Sequence, residues 1–363
     1  MWLGVEGERD TAFARVFGLR ANLFAAYGDF YARLWDPAVL DPRVVELCRL
    51  RVAQLLGCAS EQAGRSRPAV EAGLTESTVA QLRWWPTADA FDETARACLA
   101  FTEQFVLDPR LISPADRARV RDAVGYRRLV GLTQAVAVFD GFDRFRLVLG
   151  LDGPGGTDHP SGTGGPSGTD NDGHPPAPAV VEVGTPDPSV PKIDTAGTGP
   201  DDDPARGFSA AQPDLFASFE RLYGVLWSGG VVDHPSKEVA RLRNARVTGC
   251  KFCRNVRFAR ARRDGLTEDL VDLVTDGYAE TALSEAHKAV ISLTDVFLGH
   301  PGAGPDDGTR QLLLDHYGPA GTVELTAGLA LFVGFSKIAV ALGAFPDDFA
   351  TMVIPTPGDR SAS

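Results

Sequence analysis

The chain has 363 residues, 36 Lys and Arg against 48 Asp and Glu, a net charge of −12, and 44% apolar residues. It is long enough for two domains and apolar enough for packed cores, and its acid excess excludes a general nucleic-acid binder. Its five cysteines are an odd number and do not form a closed disulfide framework.

The opening residues lack a basic stretch followed by a long apolar run, so no signal peptide is expected. No uncharged apolar run approaches a membrane span. A cytoplasmic protein without membrane or nucleic-acid partners is the expectation. Residues 1–20 read as a short helical lead-in. Leu23, Phe24, Tyr27, Phe30, Tyr31 and Leu34 then recur at helical spacing. Asp41-Pro42 starts an amphipathic helix that runs through Leu56 and stops at Gly57. A second helix is expected from Ala59 to Glu71, interrupted by Pro68. Thr75 caps a short helix, Asp92 to Val106 forms a longer one, and Ser113-Pro114 opens another in Ser-x-x-Asp form. The apolar run from Tyr126 to Leu149 closes the first half.

Residues 151 to about 206 are rich in Gly, Pro, Asp, Ser and Thr. Such a stretch buries too little apolar surface to offset its ordering entropy, so it reads as a disordered linker, with only a weak strand signal at Val180 to Val183. Beyond it the first half repeats. A shift of 192 carries Leu23-Phe24-Ala25 onto Leu215-Phe216-Ala217, Glu46 onto Glu238, Gly57-Cys58 onto Gly249-Cys250, and Arg65 onto Arg257. Near the end, Phe139-Asp140-Gly141-Phe142 falls on Phe332-Val333-Gly334-Phe335 at a shift of 193. The chain therefore reads as two copies of one all-α unit, over 1–150 and 207–363, joined by a linker over 151–206. Two such copies are expected to pack as an internal pseudo-dimer.

The chemistry concentrates in the second copy. Glu238, Arg241, Leu242, Ala245 and Gly249 share one helical face. A turn at Gly249 and a new helix at Cys250 place Cys250, Cys253 and Arg257 on one stripe. Residues equally far from the turn face each other in a helical hairpin. That predicts a Glu238–Arg257 contact and a Glu46–Arg65 twin. A cysteine at a helix start is favoured as thiolate by free backbone N–H groups and by basic neighbours, here Lys251, Arg254 and Arg257. Cysteines three apart can close a disulfide across one turn, the arrangement needed for two-electron thiol chemistry. A buried Glu nearby could move protons.

The order Glu238, eleven residues, Cys250, two residues, Cys253, then Gly-Leu-Thr-Glu at 265–268 resembles the carboxymuconolactone decarboxylase and AhpD-like alkylhydroperoxidase superfamily. The upstream Tyr223 and Trp227 and the Arg-Leu-Arg run add to the resemblance. It implies an all-helical, oligomeric, cofactor-free protein that reduces a hydroperoxide with electrons from a dithiol or protein reductant. It also implies Cys253 as the attacking thiol, Cys250 as the resolving one, and Glu238 in a proton relay. Arg257 stands where the family usually has His, and a guanidinium does not shuttle protons at neutral pH. In the first copy Glu46 and Cys58 persist, Glu61 replaces the second Cys, and Arg65 again takes the His position. The decarboxylase branch lacks the cysteine pair, so Cys250 and Cys253 point to the redox branch.

Plainer readings stand beside each of these. The two cysteines could be small buried residues at a helix start. Zinc lacks a second Cys/His pair. Glu238 could serve only an ion pair with Arg257 or Arg241, since the Glu and Arg persist in the copy without the second cysteine. The basic run Lys237–Arg263 reads as a solvated face plus thiolate support. His234, His287 and His316 are candidates for the missing His, with His234 the best placed. His159 and His174 in the linker, and Cys48, Cys58 and Cys98 on helical faces, read as solvated and core residues respectively. Alternatives at the level of function are another enzyme on the same fold, a decarboxylase or lyase, and a non-catalytic scaffold.

Overall fold

A computed structural model describes residues 2–5, 11–152, 178–187, 207–345 and 350–359. The fold is helical throughout, with four three-residue strands among the described residues. After α1 (Ala12–Phe17), the first copy runs through α2 (Ala21–Arg33), α3 (Pro42–Leu56), α4 (Ala59–Ala63), β1 (Gly64–Ser66), α5 (Arg67–Glu71), α6 (Glu76–Ala80), α7 (Glu93–Leu107), α8 (Pro114–Val124) and α9 (Tyr126–Val148). The strand β2 (Ala179–Val181) and the short helix α10 (Gly207–Ala211) follow. The second copy comprises α11 (Pro213–Ser228), α12 (His234–Thr248), α13 (Lys251–Asn255), β3 (Val256–Phe258), α14 (Ala259–Arg263), α15 (Glu268–Asp272), α16 (Glu285–Gly299) and α17 (Asp307–Leu342), and ends with β4 (Met352–Ile354). From α3 to α7 every element recurs at the shift of 192: Pro42 to His234, Ala59 to Lys251, Gly64 to Val256, Glu93 to Glu285.

The local signals explain most boundaries. Asp41 accepts from the Arg43 amide and starts α3, with Pro42 at the first helical position; Asp233 does the same for α12 through Ser236. Gly57 and Gly249 stop these helices in the left-handed conformation, at φ of 75° and 74°. Ser113 and Asp116 form a reciprocal capping box on α8. α17 breaks at Gly318, φ 61°, just before Pro319. By length and composition this helix could cross a membrane, but 83% of its apolar window is buried inside the protein.

Two expectations change. The helix expected from Ala59 to Glu71 opens into an extended segment, β1, because it pairs in parallel with β2, Gly64 opposite Ala179 and Ser66 opposite Val181. Residues 178–187, placed in the disordered linker, are thus ordered. Gly64 allows this approach, since a Cβ there would meet the Val181 side chain at 2.8 Å. Asp187 further bonds Asp29 and Arg33 of α2. The remainder of the expected linker, 153–177 and 188–206 with His159 and His174, lies outside the described residues. In the second copy β4 takes the same role against β3, Val256 opposite Met352 and Phe258 opposite Ile354.

The two copies pack as a pseudo-dimer with reciprocal contacts. Gly141 of α9 leaves no room for a Cβ against the Ala330 backbone of α17, and Gly334 meets Ala137 in return. Arg144 donates to the carbonyl of Leu298 at 2.7 Å, and its counterpart Lys337 donates to that of Val106 at 2.9 Å. Between these cations lies Asp140, fully buried, 2.8 Å from Arg144 Nε and 2.7 Å from Lys337 Nζ. Burial alone would raise the Asp140 carboxyl, but Arg144 and Lys337 outweigh it and hold it below the usual carboxylate range.

Candidate functional site

The second-copy site is a tight corner. α12 ends at Gly249, Cys250 becomes the N-cap of α13, and its Sγ accepts the Cys253 amide at 3.2 Å. Cys250 and Cys253 are joined as a disulfide with Cα atoms 5.3 Å apart, ordinary for such a bridge. Both are buried, at 2% and 4% exposure. They pack with Ala245 and Ala339, and Phe252, Phe335, Val340 and Phe345 close around them. Phe252 and Phe345 stack with ring centroids 3.8 Å apart.

α13 lasts five residues, and the chain then extends to meet β4. This reverses one expectation. In extended chain successive side chains alternate, so Arg257 and Phe258 face opposite ways. Phe258 turns inward, its ring 4.6 Å from Trp227, and its amide donates to Glu238 Oε1 at 3.1 Å. Arg257 turns away to Glu268, at 3.0 Å, and to the carbonyl of Arg254 at 2.6 Å. The expected Glu238–Arg257 contact does not form, and neither does its twin: Arg65 pairs with Glu76 at 2.9 Å. A continuous helical hairpin would have brought the pairs together, but the three-residue strands rotate both arginines out.

Glu238 instead holds Arg241, one turn along α12, through Nε at 2.8 Å and Nη2 at 2.7 Å. Arg241 passes the constraint on, donating to the carbonyls of Cys253 and Val256, both at 2.6 Å. Burial favours the neutral guanidinium, but Glu238 more than compensates and raises the Arg241 pKa. The carboxylate thus fixes the backbone on which Cys253 sits. The sequence alone marks Arg241 only as an ion-pair partner for Glu238. Its bond to the Cys253 carbonyl depends on the break after Asn255, which no local sequence signal marks.

The first copy repeats this scaffold. Glu46 binds Arg49 at 2.8 and 2.9 Å and accepts the Ser66 amide at 3.1 Å, while Arg49 donates to the carbonyls of Glu61 and Gly64. Its chemistry differs. Asp152 caps α4 by accepting the amides of Ala59 and Ser60 at 2.7 and 2.6 Å, so a carboxylate already occupies the positive helix end. Burial, then the nearby Asp143, Glu61 and Asp152 carboxyls, push the Cys58 thiol far up. Cys48 is pushed up to about 12 by burial, and Cys98 is likewise raised. All three are inert core thiols.

The three histidines are elsewhere. His234 stacks on Trp227, and burial followed by Lys237 lowers its pKa. His287 lies in the first turn of α16 with its pKa lowered by burial, and His316 sits beside Tyr317. Among the described residues, no hydrogen bond or ring contact links any of them to the cysteine pair.

Comparison with curated proteins and with solved structures yields no match. The family model described as "Carboxymuconolactone decarboxylase family" does match, and it matches twice, over residues 21–104 and 213–295. These spans cover the repeated scaffold of each half, with Glu46 and Cys58 in one and Glu238, Cys250 and Cys253 in the other. The chain thus carries two tandem units of the carboxymuconolactone decarboxylase family, one in each half.

Proposed function

We propose that the protein is a thiol-dependent oxidoreductase that reduces a hydroperoxide through Cys250 and Cys253. The observation that carries this reading is the Cys250–Cys253 bridge across the first turn of α13. In the reduced protein the Cys253 thiolate attacks the terminal peroxide oxygen. The O–O bond breaks, the alkoxide leaves and takes a proton as alcohol, and Cys253 becomes a sulfenic acid. The Cys250 thiolate then attacks that sulfur, hydroxide leaves as water, and the disulfide forms. An external dithiol returns two electrons and two protons. Basic neighbours Lys251 and Arg254 favour the thiolates. Glu238 acts in this reading by positioning Cys253 through Arg241. No proton step is assigned to Arg257.

The test is turnover of cumene hydroperoxide with dithiothreitol as reductant. Wild type turns over and Cys253→Ser does not. Cys250→Ser, reduced beforehand and freed of dithiothreitol, completes one reduction and retains a sulfenic acid that dimedone traps. Continued turnover by Cys253→Ser would overturn the reading and favour another enzyme on the same fold.

A further inference from the structure

The first copy holds a cavity of about 280 Å³ at the position that Phe252 and Cys253 take in the second. The repeat shows why. Ser60 in the first copy corresponds to Phe252, whose ring stacks on Phe345 beside the disulfide. Glu61 corresponds to Cys253. At the shift of 193 that holds along α9 and α17, Asp143 corresponds to Ser336 and Arg146 to Ala339. These four departures of the first copy from the second all line this one space. The loss of a cysteine therefore came with an opened volume and three new charged groups around it.

The walls are largely aromatic and aliphatic, including Phe13, Phe24, Phe142 and Val183, and the charged groups gather at one end. There Glu61 is held by Arg146 at 2.8 Å and by Arg49 at 2.6 Å. These two cations outweigh burial and keep Glu61 in its charged form. Asp143 differs. It is 3% exposed, it lines the cavity, and its Oδ2 has no hydrogen-bond partner. A buried carboxyl oxygen without a partner costs stability unless something else supplies one.

We propose that this cavity is a second ligand site, for a neutral, largely apolar molecule that presents one carbonyl or hydroxyl oxygen to Asp143. Burial, then the adjacent Glu61 carboxylate, raise the Asp143 pKa well above the usual range, so it is a neutral acid with a proton to donate. The charge count agrees. Arg49 and Arg146 are balanced by Glu46 and Glu61, and Glu182 on the wall by Arg67, which leaves no net charge to attract an ion. An anionic ligand would face Glu61, and a cation would face two arginines. The volume is at the small end for ligand pockets. The aromatic walls supply the apolar contact area, and the unpaired Asp143 oxygen, with the unpaired Ser66 Oγ beside it on the lining, supplies orientation.

The test uses the full chain with three probes of similar shape: acetophenone, ethylbenzene and benzoate. Binding is measured by ligand-observed NMR titration. Acetophenone should saturate one site per chain and bind at least about tenfold more tightly than the other two, a ratio worth about 1.4 kcal/mol. Asp143→Leu should remove that preference, and Asp143→Asn, which keeps a donor, should retain most of it. Ser60→Phe, which rebuilds the plug of the second copy, should abolish binding while circular dichroism stays unchanged. Cys253→Ser should leave binding intact and so separates this site from the thiol pair. Equal affinity for acetophenone and ethylbenzene, no saturable binding, or binding that survives Ser60→Phe would each overturn the proposal.

Discussion

Removing the Glu238 carboxylate tests what that residue does, because the protein carries its own control. Glu238 is fully buried and accepts three hydrogen bonds, two from Arg241 and one from the Phe258 amide. Glu238→Ala leaves the buried Arg241 charge without its partner. Breaking one side of a buried ion pair costs about 3–5 kcal/mol. Glu46→Ala removes the equivalent group, with the same three bonds from Arg49 and the Ser66 amide. Both variants should lose stability in urea denaturation with the slope m unchanged, Glu46→Ala the less because Arg49 keeps Glu61 at 2.6 Å. Only Glu238→Ala should alter the thiols. Arg241 no longer ties the Cys253 carbonyl, so the reduced pair should react with iodoacetamide several-fold faster than in wild type or Glu46→Ala. Two results would refute this reasoning. One is a Glu238→Ala cost below about 1 kcal/mol beside a full cost for Glu46→Ala. The other is a Glu238→Gln variant of wild-type alkylation rate that has lost the pH dependence of peroxide turnover, which would make Glu238 a proton carrier.

Two further outcomes follow from the charged groups. Asp140 has a folded pKa below its unfolded value of about 3.9, so its contribution is present above that pH and fades as pH falls through the lower folded value. Asp140→Asn should lower the urea midpoint at pH 7 and flatten the acid limb of the stability profile; an unchanged midpoint at pH 7 would show that the triad contributes nothing. Glu268, the partner of Arg257, has a side chain 44% exposed, so Glu268→Gln should change stability by no more than about 1 kcal/mol and leave turnover as it was. A large loss in either would mean that Arg257 matters more than its surface ion pair indicates.

The repeat was legible because its marks are local. Asp41-Pro42, Gly57, Gly249 and Thr75 each set a cap or a stop by their own stereochemistry, and the structure uses them as such. The thiol pair at a helix start was legible for the same reason. What could not be read were β1 and β3. Three residues become extended there because Val181 or Val353 arrives from far along the chain. No propensity within Val256-Arg257-Phe258 announces that partner. This single omission turned Arg257 and Arg65 to the wrong side and hid the role of Arg241. The cavity acid carries a local signal. Asp140, Asp143 and Arg144 are charged residues inside the otherwise apolar run of α9. A buried charge in such a run always requires a partner or a shifted pKa.

Asp140 also bears on assembly. Its counterpart in the second copy is Val333, so the interface carries one acid between two cations. A pair of first copies would bring two Asp140 and two Arg144 side chains into a space shaped for one acid. A pair of second copies would bury two Lys337 ammonium groups with no acid opposite. The pair of second copies is electrostatically penalised, whereas the mixed pair gives each of its cations an acid. Fusion into one chain thus permits an asymmetry that a homodimer would have to duplicate, and each molecule carries one thiol pair and one cavity in fixed ratio.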